Sequence, residues 1–412
     1  MRVSIAVQNL RPGMLVVELD IPWLDSPFLT SSRRIKDIKE IERLIKAGVK
    51  QVIIDTGKGE APSPAPLKAA LVNPPAPQIP PVQKTQPGIE PTPEPEKRSL
   101  EQEMAVATGL RTKIKKAVDN LQASLERNVP VEISEISPLI DQTLNSLTRN
   151  NQALLSLVHL SRKAQKLADH SFSTFCLCLN LAMVKAVSPA EREALGVAAL
   201  LHEAGWVQLP LQLMGKRTPY TATEKKLIGN HIQIGLALLK SSNLPELAER
   251  IVREHHELCD GSGYPSGLKA DSLHSLSKLL TVVDAYDEKV HQLADKPGMV
   301  PTNALRALYV EAEKGLYDAA SVASLITLLG IYPITSAVRL NTGERAVVVE
   351  VGDDPLNPTI KIVYDAHKKL LASPLVLDLK QQDVAKTKRT IEAVLDPSNS
   401  LDDPFKRLVV ED

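Results

Sequence analysis

Twelve of the chain's 30 prolines fall between residues 61 and 98, at positions 62, 64, 66, 74, 75, 77, 80, 81, 87, 91, 93 and 95. A segment of that composition cannot bury a core and favours extended, semi-rigid chain. Residues 59–98 therefore read as a linker. The 412 residues must fold as separate units on either side of it, and that length suffices for two or three.

Before the linker, residues 1–58 read as a small α/β domain. VSIAVQNL and GMLVVELD look like strands around a Pro12-Gly13 turn, and VKQVIID like another. Between them, Ile35, Ile38, Ile41, Leu44 and Ile45 have the spacing of one helix face, closed by Gly48. After the linker, residues 99–331 carry a helical pattern. It opens with the amphipathic stretch LEQEMAVATGLRTKIKKAVDNLQASLER and is punctuated by Pro138, Pro189, Pro219, Pro245, Pro265 and Pro301. Thr221 and Glu224 form a capping-box signature. Beyond Tyr332-Pro333 the period shifts to alternation around Asn341-Thr342-Gly343, with TIKIVYD and SPLVLDL following. Residues 332–412 are thus expected to form a small β-unit with a polar tail, and the protein as a whole to be mainly α.

Composition limits the functional classes. Lys+Arg and Asp+Glu both number 49, so no overall charge draws the chain to nucleic acid or a membrane, although a local cluster can still hold a small anion. Three cysteines, Cys176, Cys178 and Cys259, argue against a disulfide frame and for a reducing compartment. MRVSIAVQNLRPGM contains no signal-peptide core, and no apolar run approaches the ~20 residues of a membrane helix. A soluble cytoplasmic protein is expected.

Seven of the nine histidines lie between 170 and 291. Singly, each reads as a structural residue. Together, His170, His202-Glu203, His231, His255-His256 and Asp284 are harder to explain so. His202-Glu203 follows GVAALL, which reads as a buried helix, and an uncompensated charge at that depth is costly. A cation supplies the compensation, and mixed imidazoles and carboxylates suit divalent Fe, Mn or Zn. After His255-His256 comes Glu257-Leu258-Cys259-Asp260-Gly261-Ser262-Gly263-Tyr264-Pro265, in which Gly-Ser-Gly makes a tight loop that Tyr-Pro ends.

These residues, with Asp284-Ala-Tyr-Asp287, closely resemble the HD-GYP domain, a branch of the HD phosphohydrolases that hydrolyses the bacterial signal cyclic di-GMP. The likeness spans about residues 130–335. Residues 1–58 look like the small domain of unknown role that often precedes it, a candidate surface for a signalling protein partner. The resemblance implies a helical bundle holding two divalent metal ions. One would sit on His170, His202, Glu203 and Asp284, and the other on Glu203, His231, His255 and His256. Glu203 would be the bridging, catalytic carboxylate. Lys216, Asp260, Gly261, Gly263, Tyr264 and Pro265 would contact cyclic di-GMP.

The chain departs from the family where His-Asp-Ile-Gly-Lys becomes His202-Glu203-Ala204-Gly205-Trp206. Glutamate adds a methylene, a displacement of roughly 1 Å where good sites tolerate about 0.5 Å. Trp206 cannot contact phosphate as the family lysine does. Lys166 stands where some members place an acid for a third metal, which limits the expectation to two. Lys296-Pro297 is the nearest match to a family arginine. Three readings follow. The first is a phosphodiesterase opening cyclic di-GMP to pGpG or GMP. The second is a binding or interaction module on a degenerate site. The third, a general HD nucleotidase, would not need the Gly-Tyr-Pro loop. The proline segment carries its own expectation: limited proteolysis cuts first within 61–98, and protection throughout that segment would overturn the linker reading.

Overall fold

A computed structural model describes residues 2–19, 33–35, 37–46, 48–55, 96–159, 167–214, 216, 218–291, 298–382 and 388–396. Almost all of the proline segment, together with Lys166, Lys296-Pro297 and residues 397–412, lies outside the described residues. The chain divides into Met1–Thr92 and Pro93–Asp412.

In the first unit, strands β1 (Arg2–Ala6), β2 (Leu15–Leu19), β3 (Arg33–Arg34) and β4 (Gln51–Asp55) form an antiparallel sheet in the order β1-β4-β2-β3. Helix α1 (Ile38–Lys46) contributes to its core. The chain reverses at Pro12-Gly13, where Gly13 takes φ 95°, a conformation glycine adopts without strain. The expected helix face is corrected. Ile41 and Leu44 are buried, but Ile38 and Ile45 are 65% and 45% exposed, and Ile35 precedes the helix. Ile35 is instead held as extended chain, its N–H donating to Met14 O at 2.9 Å and its own O accepting from Gly13 N at 2.8 Å.

The second unit opens with α2 (Leu100–Glu126), started by a capping box on Ser99. Its buried Ala107, Leu110, Ile114, Val118, Leu121 and Leu125 recur every three or four residues, the stripe of an amphipathic helix. Glu103 on this face is buried and held by Arg149 Nε at 2.8 Å and Nη2 at 2.7 Å, a bidentate clamp to α3 (Ser137–His159). Next comes α4 (Leu167–Val184). Against the expectation that no apolar run approaches membrane length, its 18 residues are long and apolar enough by length and composition. Yet 72% of it is buried inside the protein, with Phe172, Phe175, Cys176, Leu177 and Cys178 inaccessible, because it is the bundle's central helix and meets protein on every side. Around it run α5 (Pro189–Leu201), a 3-10 turn (Ala204–Gln208), α6 (Leu211–Met214), α7 (Ala222–Gly229), α8 (His231–Leu239), α9 (Glu246–Glu254), α10 (Ser275–Val290), α11 (Pro301–Glu313) and α12 (Ala319–Leu329). The Thr221 capping box forms at the start of α7, Glu224 N–H donating to Thr221 Oγ1 and Thr221 N–H to Glu224 Oε2.

The chain ends in an antiparallel sheet of β5 (Ala337–Leu340), β6 (Arg345–Glu350), β7 (Thr359–Tyr364), β8 (Leu370–Asp378) and β9 (Ile391–Val394), in the order β8-β7-β6-β5-β9. The Asn341-Thr342-Gly343 turn joins β5 to β6, Gly343 at φ 85°. The expected polar tail is corrected in part: Ile391–Val394 returns to pair with β5 and covers an edge that two-residue periodicity left open. Gln152 of α3 ties the sheet to the bundle, donating to Val351 O at 3.0 Å and accepting from Val351 N at 3.3 Å.

The 3-10 turn after α5 packs directly on α8. A Cβ on Gly205 would lie 1.9 Å from His231 O, whereas one on Gly109, in the middle of α2, would meet nothing within 4 Å. Gly205→Ala is therefore expected to destabilise the helical unit by at least about 2 kcal/mol. Gly109→Ala is expected to stabilise it by up to about 1 kcal/mol. Urea unfolding checks both, and equal effects would overturn the close-contact account.

Candidate metal centre

Three of the site's histidines sit at helix ends. His202 caps the C-terminus of α5, His231 is the first residue of α8, and His255 caps the C-terminus of α9. In each, Nδ1–H donates to the carbonyl three residues back: Ala199 O at 3.1 Å, Ile228 O at 2.7 Å and Val252 O at 2.7 Å. A helix terminus leaves such carbonyls without an intrahelical partner. One local device therefore caps the backbone, sets the tautomer and turns Nε2 outward as an acceptor. His170, inside α4, gets its orientation differently: its Nδ1 donates to Asp287 Oδ2 at 2.8 Å.

The outward nitrogens converge. His170 Nε2 lies 3.0 Å from His202 Nε2, and His231 Nε2 lies 3.2 Å from His255 Nε2. Glu203 Oε2 is 3.2 Å from His231 Nε2, and Asp284 Oδ1 is 3.2 Å from His170 Nε2 and 3.8 Å from His202 Nε2. His256 Nδ1 faces Asp284 Oδ2 at 3.6 Å. Glu203, His231, His255 and His256 form one group and His170, His202, Glu203 and Asp284 another; within each, the ligand atoms lie within 4.8 Å of one another. Glu203, buried, belongs to both, so its extra methylene does not take it out of reach of either. The structure thus brings together all seven residues singled out as metal ligands.

The donor set fits divalent cations on its own chemistry. His231 and His255 both spend their Nδ1 protons on carbonyls, and burial together with the neighbouring His256 and His202 holds His255 well below the ordinary imidazole range. His255 therefore turns an acceptor Nε2 toward His231 Nε2. Glu203 Oε2 and Asp284 Oδ1 are buried without a hydrogen-bond partner, a costly state for a carboxylate. With metal–nitrogen bonds of about 2.0–2.1 Å, two imidazoles on one ion place their nitrogens roughly 3–3.4 Å apart, the separation found here. The other group shows the same demand. Burial alone depresses His170, but Asp284 and Asp287 outweigh it and raise the imidazole well above its usual range. Burial would likewise raise Asp284, yet His170 and His202 hold it well below the carboxylate range. That half of the site takes up positive charge, as a proton or as a cation.

The Gly-Tyr-Pro loop forms one wall. Gly261 adopts φ 85°, and a Cβ on Gly263 would lie 2.2 Å from Leu258 N, so the loop closes only with glycine there. The Tyr264 ring, 37% exposed, stands 4.8 Å from the His256 ring, and the Tyr264-Pro265 peptide is cis. Asp260 turns back into its own loop, its Oδ1 accepting from Ser262 N at 2.9 Å and Ser262 Oγ at 2.6 Å. Lys216 is ion-paired with Glu224, its ammonium 5.8 Å from the centre of the Tyr220 ring. Trp206 is half-buried, its ring 6.1 Å from that of His231.

Two contributors escaped the sequence analysis as site residues. Asp287 orients His170; the signal was present, since Asp287 follows Asp284 by three residues and so lies near it along one side of α10. Buried Glu257 anchors the loop, accepting from Ser266 N at 2.6 Å and Leu268 N at 2.9 Å. An acid directly after a histidine pair carries no signal that it binds backbone nine residues ahead.

Residues 136–321 match the HD domain, residues 2–136 a domain of unknown function (DUF3391), and residues 337–398 the KOW domain associated with HD domain. The chain is similar to the cyclic di-GMP phosphodiesterase PA4108 of Pseudomonas aeruginosa, at 32% identity over 91% of this chain and 88% of that protein. It is 25% identical to the cyclic di-GMP phosphodiesterase PdeB of Borreliella burgdorferi over 47% of this chain and 50% of that one. It also resembles the 3'3'-cGAMP-specific phosphodiesterase 2 of Vibrio cholerae, at 30% identity over 27% of this chain and 22% of that protein. With an HD-domain match covering the helices that present the histidines, a Gly-Tyr-Pro loop walling them, and a relative aligned along nearly its full length, the chain belongs to the HD-GYP family of HD-domain proteins.

Proposed function

We propose that the protein is a metal-dependent phosphodiesterase that hydrolyses cyclic di-GMP to pGpG or GMP. The observation that carries this reading is the pair of adjoining histidine–carboxylate groups sharing Glu203, in a chain 32% identical over 91% of its length to a protein of that activity. The relative that aligns over 91% of the chain is named for cyclic di-GMP, which favours it as substrate over cGAMP. His170, His202, Glu203 and Asp284 would hold one divalent ion of the Fe, Mn or Zn type, and Glu203, His231, His255 and His256 a second. When bound, such ions neutralise charge on the phosphodiester and make water acidic enough to attack near neutral pH. The chain's own residues do the rest. Glu203 is the shared carboxylate, Asp287 keeps His170 turned inward, and the glycine-rich loop presents backbone and the Tyr264 ring beside the metal groups. Lys216, released from Glu224, would reach a phosphate. Residues 1–58 would form a domain free to meet a signalling partner, 59–98 a linker, 99–331 the catalytic unit and 332–412 the β-unit, in a cytoplasmic protein.

A second reading, a cyclic di-GMP sensor without turnover, is favoured by Trp206 beside His231 and by the Lys216–Glu224 pair. Neither residue offers the phosphate a free cation. Such a sensor would still bind, because cations and oriented loop amides attract phosphate whether or not attack is well aligned.

Three outcomes separate the readings. Removing metal with a chelator is expected to abolish cyclic di-GMP turnover, and adding back Mn or Fe to restore it; turnover unaffected by chelation would sink the metal mechanism. Changing Glu203→Asp together with Trp206→Lys is expected to raise turnover on the order of 100-fold, since one preorganised donor of transition-state charge is worth that much. No gain in a folded, metal-loaded variant would mean that those positions do not limit the reaction. Calorimetry on metal-loaded protein is expected to show cyclic di-GMP binding that weakens when His255 and His256 both become Ala; no binding at high micromolar ligand would exclude enzyme and sensor alike.

A further inference from the structure

Behind His170 lies a buried pair that the proposed ligation leaves unused. Asp287, near the end of α10, and His291, which caps that helix, are 1% and 5% exposed. Asp287 Oδ2 accepts from His170 Nδ1 at 2.8 Å. On the other side of the same carboxylate, His291 Nδ1 lies 3.0 Å from Oδ1 and 3.0 Å from the Asp287 backbone oxygen. The direction of the N–H favours the backbone oxygen, so Oδ1 has the imidazole beside it as a nearby dipole or charge without a full hydrogen bond.

Geometry makes this more than a cap. A carboxylate buried to 1% is stable only when its charge is matched, and imidazoles face both of its oxygens. Among the proposed ligands, His170 alone has its Nδ1 within hydrogen-bond distance of a side chain. His202, His231 and His255 are tied to backbone carbonyls, and His256 directs Nδ1 toward Asp284. A carbonyl is held by its helix, whereas a carboxylate turns about its own side-chain bonds. The Nε2 of His170 therefore points as well as the Asp287 carboxylate is fixed.

We propose that His291 is a positioning residue of the metal centre: it holds the Asp287 carboxylate in place, and through it the His170 imidazole, so that His170 Nε2 faces Glu203 and Asp284. This rests on the metal reading proposed above. His291 does not reach the metal groups; it acts through Asp287. Partners behind a metal-binding histidine typically contribute 10–100-fold in affinity. The competing account is that His291 only caps α10, where a donor to a terminal carbonyl stabilises the helix and nothing else.

The full chain, stripped of metal, is titrated with Mn2+ by calorimetry, with no nucleotide present. Wild type is expected to bind two ions. His291→Ala is expected to weaken one of the two events by about 10–100-fold and leave the other unchanged. His291→Asn, whose Nδ2 occupies the place of the imidazole Nδ1, is expected to restore wild-type affinity. Asp287→Asn keeps the size and removes the charge and is expected to weaken the same event; if His291→Ala does not fold, His291→Phe, which keeps the ring and removes the donor, is expected to show the same selective weakening. Both events unchanged in His291→Ala, with only thermal stability lowered, would reduce His291 to a cap. Both weakened equally would mean general damage and also overturn the proposal. Wild type that binds no Mn2+ would sink the metal reading itself. Selective weakening in a protein that turns over no cyclic di-GMP would leave this inference standing and remove only the substrate.

Discussion

Two carboxylates, Glu203 and Asp284, lie buried among five imidazoles, each with an oxygen that no hydrogen bond satisfies. A bundle would not keep such an arrangement for its own stability, because each buried unpaired acceptor costs about 1–3 kcal/mol and more when charged. The site tolerates it because a cation can occupy the centre. That demand explains the imidazole nitrogens facing one another, whereas the depression of Asp284 and the elevation of His170 come from the two groups facing each other. The polar groups of the surrounding helices are arranged to serve that centre.

The bundle meets the demand through its helix ends. His202, His231 and His255 each close or open a helix and bond the carbonyl three residues back, so these imidazoles are as rigid as the backbone that carries them. Gly205 and Gly235 let the turn after α5 lie against α8 at backbone contact, which sets Glu203 beside His231. The same contact places Trp206 alongside the His231 ring. Two of the departures from the family pattern, Glu203 and Trp206, thus flank this backbone contact. Glu203 reaches both ligand groups, whereas Trp206 brings bulk and no charge to a position that faces the site.

The loop wall depends on a second buried acid. Glu257 binds two backbone N–H groups of the segment after Tyr264, and Gly263 leaves room for the backbone of Leu258, which a Cβ there would meet at 2.2 Å. Tyr264 can then stand against His256 while half-exposed. Asp260 spends its carboxylate on Ser262, which gives it a role in shaping the loop.

Much of this was legible in the order of residues. Periodicity showed α2, the capping box at Thr221 and the Asn341-Thr342-Gly343 hairpin, because each depends on neighbours within a few positions. The motif order identified all seven residues that the structure gathers, from His170 to Asp284. Local pattern misled where burial depends on distant contacts. Ile38 and Ile45 fit a helix face that the core does not use, and β9 is a strand only because β5 leaves an edge open. Spacing placed Asp287 near Asp284, but its contact with His170, and the contacts of Glu257 and His291, were decided by tertiary structure. Residue type and spacing can state that an acid or an imidazole is present, but which oxygen meets which nitrogen is decided when helices far apart in the chain close around one buried charge.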